Sequence, residues 1–228
     1  MHVSSSTNAS LLDYINSQSD SEKGLEKSSG IGALLQQSCI ASNPVVARIS
    51  NEAEKSGIYK STTTNASAVL KYLDTLMDKG SSSVFSKAEA AENTDEAITK
   101  IGSLVVSYNK MLDNLSEEGG KTNQTYLKSL YTITENAAEQ LEKIGITVNK
   151  DGSLDTDYET LFNAELADLK EAFGSGSSFG KALTEAVGEV RESAAKSSHL
   201  AQIYSTAYNN SGSYSQYDYI KNLYDSLA

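Results

Sequence analysis

The sequence predicts a mostly α fold, an elongated helical bundle or coiled coil carrying one small β-hairpin at about residues 145–155, and three observations predict it. Ile98, Ile101, Leu104, Val105, Tyr108, Met111, Leu112 and Leu115 follow one another at steps of 3, 3, 1, 3, 3, 1 and 3, which lays one apolar stripe along a helix. Leu127, Leu130, Thr134, Ala137, Leu141 and Ile144 step by 3, 4, 3, 4 and 3, the coiled-coil interval. A chain with 39% hydrophobic residues, no Trp, four Phe and one Pro suits long helices with few bulky anchors rather than a sandwich or a doubly wound sheet.

Four stretches follow from this patterning. Residues 1–42 are polar and punctuated by Ser and Gly, with brief apolar runs at Leu11, Leu12 and Ile15 and at Ile31, Leu34 and Leu35; a flexible N-terminal segment is expected. Residues 43–80 form a helical coiled segment: Asn43 and Pro44 suit an N-cap and a first helical residue, and beyond Gly57 one face carries Ala66, Val69, Leu70, Leu73, Leu76 and Met77 as far as Gly80. Residues 81–173 hold a helical hairpin, turning at Gly119-Gly120, and the β-hairpin. Beyond Gly174-Ser-Gly-Ser-Ser178, residues 174–228 are expected to be helices that pack on the N-terminal helix, with Phe179, Leu183, Val187, Val190, Ala194, Ala201, Tyr204 and Tyr208 on one face. Tyr217, Ile220, Tyr224 and Leu227 then repeat at coiled-coil steps. Leu70, Leu73, Met77, Tyr204, Tyr208, Tyr217, Ile220, Tyr224 and Leu227 are the residues expected to form partner or self-association seams.

The acidic stretch Ile144–Leu161 has two readings. As a calcium loop with Gly152 at position 6, it would place Thr147 at position 1 and Tyr158 at position 12, so the first carboxylate and the closing bidentate Glu are both missing. As a hairpin, Ile146 and Val148 alternate with polar neighbours, Asn-Lys-Asp-Gly supplies the turn, and Asp151-Gly152 closes it with a positive φ at the glycine. Thr156 and Glu159 then read as a capping box opening the next helix, which Leu161, Ala164, Leu166 and Leu169 carry toward Phe173. Asp155, Asp157 and Glu159 could hold a cation, but helix-start capping accounts for them.

No catalytic centre is expected. The two histidines, His2 and His199, stand apart from any Cys or paired acid. Cys/His metal spacing, a Gly-x-Gly-x-x-Gly and a phosphate-binding Gly-Lys-Ser/Thr loop do not occur, so no metal and no cofactor is expected. Cys39, the single cysteine, rules out an internal disulfide. A net charge of −11 without a Lys/Arg run argues against nucleic acid and anionic membranes, which both recruit clustered cations. No stretch of about 18 apolar residues offers a membrane span, and the Ser-rich start lacks a secretory pattern. The partners expected are proteins.

Tyr108-Asn109 near the end of the first stripe, Leu141-Glu-Lys-Ile144-Gly145-Ile146-Thr147, Asp151-Gly152-Ser153-Leu154 and Leu169-Lys-Glu-Ala-Phe173-Gly174 together resemble the flagellar filament cap, the hook-associated protein 2 family. The resemblance covers about residues 83–182, the inner-domain part only. It implies a non-enzymatic structural protein of the bacterial flagellum, exported without a cleavable signal peptide to an extracellular position, forming a homo-oligomer and binding flagellin or hook-junction proteins through helical faces. The family's large outer domains have no counterpart here, since Asn43 and Tyr108 are 65 residues apart (108 − 43). The alternative is a general helical interaction module, a secreted adhesin or a cytoplasmic chaperone-like protein.

Overall fold

The apolar stripes are taken up by four long helices in the computed structural model, which describes residues 55–207, with side chains through Gln202. The chain divides between Val46 and Ala47, and everything described here belongs to the unit that begins at Ala47. Helix α1 (Ser56–Met77) buries Tyr59, Thr62, Ala66, Val69, Leu73 and Leu76. A short helix α2 (Val84–Ala91) leads to α3 (Asp95–Glu118), which buries the whole first stripe. After the turn at Gly119 comes α4 (Gly120–Asn136), and α8 (Ser178–Ala207) closes the described chain.

These four touch in the cyclic order α1, α3, α4, α8. Asn114 of α3 donates to Ser61 Oγ of α1 at 3.0 Å, so the C-terminal end of α3 lies beside the N-terminal end of α1. Thr184, near the start of α8, donates toward Met77 Sδ at 3.9 Å, at the end of α1. The directions therefore alternate, as in an up-down-up-down bundle whose facing stripes bury one another.

Between α4 and α8 the chain builds α5 (Ala138–Glu142), strands β1 (Ile146–Val148) and β2 (Leu154–Thr156), α6 (Tyr158–Phe162) and α7 (Leu166–Phe173). The strands pair antiparallel with Ile146 opposite Thr156 and Val148 opposite Leu154. The mostly α fold with one small hairpin is thus the observed one.

The details depart from the pattern in three places. Helix α2 carries too short an apolar run to register as a period; Ser83 caps it by accepting from Ser86 N at 3.2 Å. The second stripe is broken at Ala137, where φ is −103° and ψ 4°, although Leu130, Thr134, Ala137, Leu141 and Ile144 all stay buried. The helix expected to run from Leu161 to Phe173 is likewise two helices, α6 and α7, separated at Asn163–Glu165. The break lets Leu161 and then Leu169, Ala172 and Phe173 reach one core. The expected Asn43-Pro44 helix start, the flexible 1–42 segment and the tail beyond Ala207 lie outside the described residues.

Candidate functional site

The hairpin turn is built by local polar chemistry. Asn149 N donates to Ser153 O at 2.8 Å, and Gly152 N to Asn149 O at 2.9 Å. Asp151 Oδ1 accepts from Ser153 N at 3.0 Å and from Ser153 Oγ at 2.7 Å. Those donors hold the Asp151 carboxyl below the usual carboxylate range, the hydroxyl contributing most. Gly152 has φ +84°, and a Cβ there would lie 3.3 Å from Cα and Cβ of Tyr131 on α4. Both the turn and the helix beneath it therefore require glycine.

Helix α3 grips this hairpin through two adjacent residues. Tyr108, fully buried, donates its hydroxyl to Gly152 O at 3.2 Å. Burial pushes its phenol well above the ordinary value, so it stays a donor. Asn109 Nδ2 donates to Leu154 O at 2.8 Å while its Oδ1 accepts from Leu154 N at 2.9 Å. One side-chain amide thus supplies the outer edge of β2 with the donor and acceptor that a third strand would have supplied.

The exit from the hairpin corrects the expected cap. Thr156 lies in β2 opposite Ile146, so its backbone belongs to a ladder and its hydroxyl is turned inward. Its Oγ1 is buried without a hydrogen-bond partner. The cap is Asp157, whose Oδ1 accepts from Glu159 N at 3.0 Å and whose Oδ2 accepts from Thr160 Oγ1 at 2.6 Å. Glu159 is an exposed first-turn residue of α6, and the reciprocal bond of a capping box is not formed, because the strand pairing moves the helix start one residue along.

Two predictions follow from this geometry. Thr156→Val keeps the β-branched shape and removes a hydroxyl that finds no partner, so it should leave stability unchanged or raise it by up to about 1 kcal/mol in urea melts. Loss of a cap would instead lower it. The Asp157 carboxyl is held below its ordinary value chiefly by the Thr160 hydroxyl. A depressed carboxylate stabilises above its unfolded pKa, and that stability is lost as pH falls through the lower folded pKa. Asp157→Asn should therefore flatten the acid limb of a stability–pH profile, and an unchanged limb would remove Asp157 from the cap.

A second polar cluster sits where α3 turns into α4. Glu118, only 5% exposed, accepts from Thr62 Oγ1 of α1 with one carboxylate oxygen and from Asn123 Nδ2 of α4 at 2.9 Å with the other. Lys55 Nζ donates to the Glu118 carbonyl at 2.7 Å. A carboxylate at the last residue of α3 opposes that helix's dipole, but the same position precedes the N-terminus of α4, whose dipole favours it. Three helices thus converge on one carboxyl group with both oxygens hydrogen-bonded, which ties their ends together. The pattern of apolar residues could not show it, since Glu118 is a charged residue type one step past Leu115, where the apolar stripe ends.

The expected seams are divided by the fold. Leu73 is fully buried and serves the interior rather than a partner; Leu70 and Met77 are half-buried against the same core, and Met77 meets Thr184 and Gly180 of α8. Tyr204 falls within α8, beyond the described side chains. Tyr208, Tyr217, Ile220, Tyr224 and Leu227 lie outside the described residues. Among the described residues, the large apolar side chains that face outward were not expected: Tyr158, 52% exposed, and Phe162, 57% exposed, stand one turn apart on α6, and Val106 of α3 and Leu200 of α8 are each about half exposed. Tyr158 lies over Gly102 of α3, where a Cβ would be 3.5 Å from its ring.

Among the described residues no group of three or more His, Cys, Asp or Glu side chains could hold a metal ion. His199 is exposed on α8, and among the described residues no helix is long and apolar enough to cross a membrane. Comparison of the chain with protein-family models, with curated proteins and with solved structures finds no match.

Proposed function

We propose that this chain is a non-enzymatic structural protein of the bacterial flagellum, related to the filament cap and binding flagellin-type subunits or further copies of itself through helical faces. One observation carries the reading. Three of the four sequence blocks on which the resemblance rests meet at the hairpin: Tyr108 and Asn109 hydrogen-bond to Gly152 and Leu154 across 44 and 45 residues of chain. Gly145, from the block between them, is locked against Asp157 by a 2.8 Å bond. Residues that must meet to build one joint travel together in sequence, so their joint occurrence weighs more than three short matches taken singly.

The faces available for binding are the exposed ones. Tyr158 and Phe162 on α6, Val106 on α3 and Leu200 on α8 are exposed apolar side chains, and aromatic side chains of this kind anchor protein interfaces. The test is a pull-down by the full chain of purified flagellin and hook-junction proteins, beside filament growth in a deletion strain. Retention of one of these subunits, with shortened or absent filaments on deletion, is the expected result. A protein found only in the cytosol, with filaments unchanged on deletion, would sink the proposal and leave the general helical interaction module.

A further inference from the structure

Asp151-Gly152 is the only Asp-Gly step in the chain, and there is no Asn-Gly. Such a step is chemically reactive because glycine leaves its own amide nitrogen unhindered. The Gly152 nitrogen gives up its proton to solvent and attacks Asp151 Cγ. The new N–Cγ bond forms as a Cγ–O bond of the neutral acid breaks, and the oxygen leaves as water. The resulting five-membered imide then takes back one water. Opening at Cγ restores aspartate; opening at the Asp151 main-chain carbonyl routes the backbone through Cβ and Cγ, giving isoaspartate with no net change in composition and one extra backbone atom.

In the closed hairpin both reacting groups are occupied. The Gly152 N–H is spent on Asn149 O at 2.9 Å. Asp151 Oδ1 is held by Ser153 N and Ser153 Oγ at 3.0 and 2.7 Å. The carbonyl of Gly152 is tied to Tyr108, and both main-chain groups of Leu154 to Asn109, at 2.8–3.2 Å. Ring closure needs the Gly152 N–H and the Asp151 carboxyl freed and the backbone between them turned, a motion that the bonds to Tyr108 and Asn109 oppose. We propose that Asp151-Gly152 is a latent isoaspartate site that Ser153 and the Tyr108–Asn109 clamp hold shut, so that the rearrangement proceeds only through local opening of the hairpin. The depressed Asp151 carboxyl works the same way, since the neutral acid is the form whose oxygen can leave.

The extra backbone atom would fall inside a turn whose pairing of Asn149 with Ser153 spans three intervening residues. An opened hairpin that rearranges therefore cannot re-form the same ladder, and the clamp separates a reversible opening from an irreversible one.

The experiment ages the full-length protein in mildly acidic buffer and measures isoaspartate at residue 151 by peptide mapping, beside the exchange rate of the Gly152 amide. Urea-unfolded chain should react fastest and folded wild type slowest. Asn109→Ala and Ser153→Ala should each speed the reaction roughly 3- to 10-fold, the effect of removing one or two net hydrogen bonds on an opening equilibrium, with Gly152 exchange rising in step. Asp151→Glu, which cannot close the five-membered ring, should yield none. Should Asn109→Ala unfold the protein, Ser153→Ala decides, since the Ser153 hydroxyl bonds only to Asp151 and Asn149. Folded wild type reacting as fast as unfolded chain would overturn the proposal. So would faster Gly152 exchange in Ser153→Ala with no faster isoaspartate formation.

Discussion

Gly145→Ala is expected to destabilise the bundle by about 2–4 kcal/mol, the larger of the two main effects anticipated here. Gly145 has φ +79°, where a β-carbon costs about 1 kcal/mol. The same β-carbon would lie 2.8 Å from both the Asp157 carbonyl oxygen and Thr160 Cβ, and 3.0 Å from Leu161 N. Two of those three atoms are backbone, so relief requires moving α6 or the hairpin, an overpacking cost of about 1–3 kcal/mol. Neither moves easily. Ile144 and Ile146 on either side are fully buried, and the Gly145 carbonyl accepts the Asp157 N–H at 2.8 Å. Gly188→Ala on α8 is the control: a β-carbon there meets nothing within 4 Å, and alanine should stabilise a helix interior by about 0.5–1 kcal/mol. Urea denaturation of the two variants should displace the midpoint in opposite directions. A Gly145→Ala midpoint equal to wild type would refute the packing described around α6.

Asn109→Ala should cost about 1–3 kcal/mol. It removes both bonds to Leu154 and leaves the outer edge of β2 without a protein partner in a half-buried position. Asn109→Asp makes the argument sharper. The carboxylate could still accept from Leu154 N, but it would face Leu154 O with no proton to share, so it should be no better than alanine at neutral pH. Partial recovery at low pH, where a protonated acid can donate, is expected. Tyr108→Phe should lose less, about 0.5–1.5 kcal/mol, because it removes one bond and keeps the ring in the core. Since the two residues hold one hairpin, the double variant should fall short of the sum of the singles. Full additivity would mean that they do not act as one clamp.

The sequence by itself determined the elements whose cause is local. Apolar spacing along α1, α3, α4 and α8 is a property of each segment alone, because a helix repeats every 3.6 residues whatever it packs against. The turn at Asp151-Gly152 was legible for the same reason: five consecutive residues, 149–153, supply its hydrogen bonds and its positive φ. Tertiary structure decided what periodicity cannot carry, namely which body covers each stripe. Leu73 has the spacing of a seam, and packing within the bundle makes it interior. Thr156 has the chemistry of a cap, yet pairing with Ile146 ten residues earlier draws it into a strand and hands the cap to Asp157. Glu118 is buried and Asn109 becomes a strand partner because Thr62 and Leu154, 56 and 45 positions away, supply donors and acceptors that make a polar group tolerable out of water. Propensity and period are sums over neighbours in the chain; burial and hydrogen-bond satisfaction are settled between residues that meet only after the chain has folded.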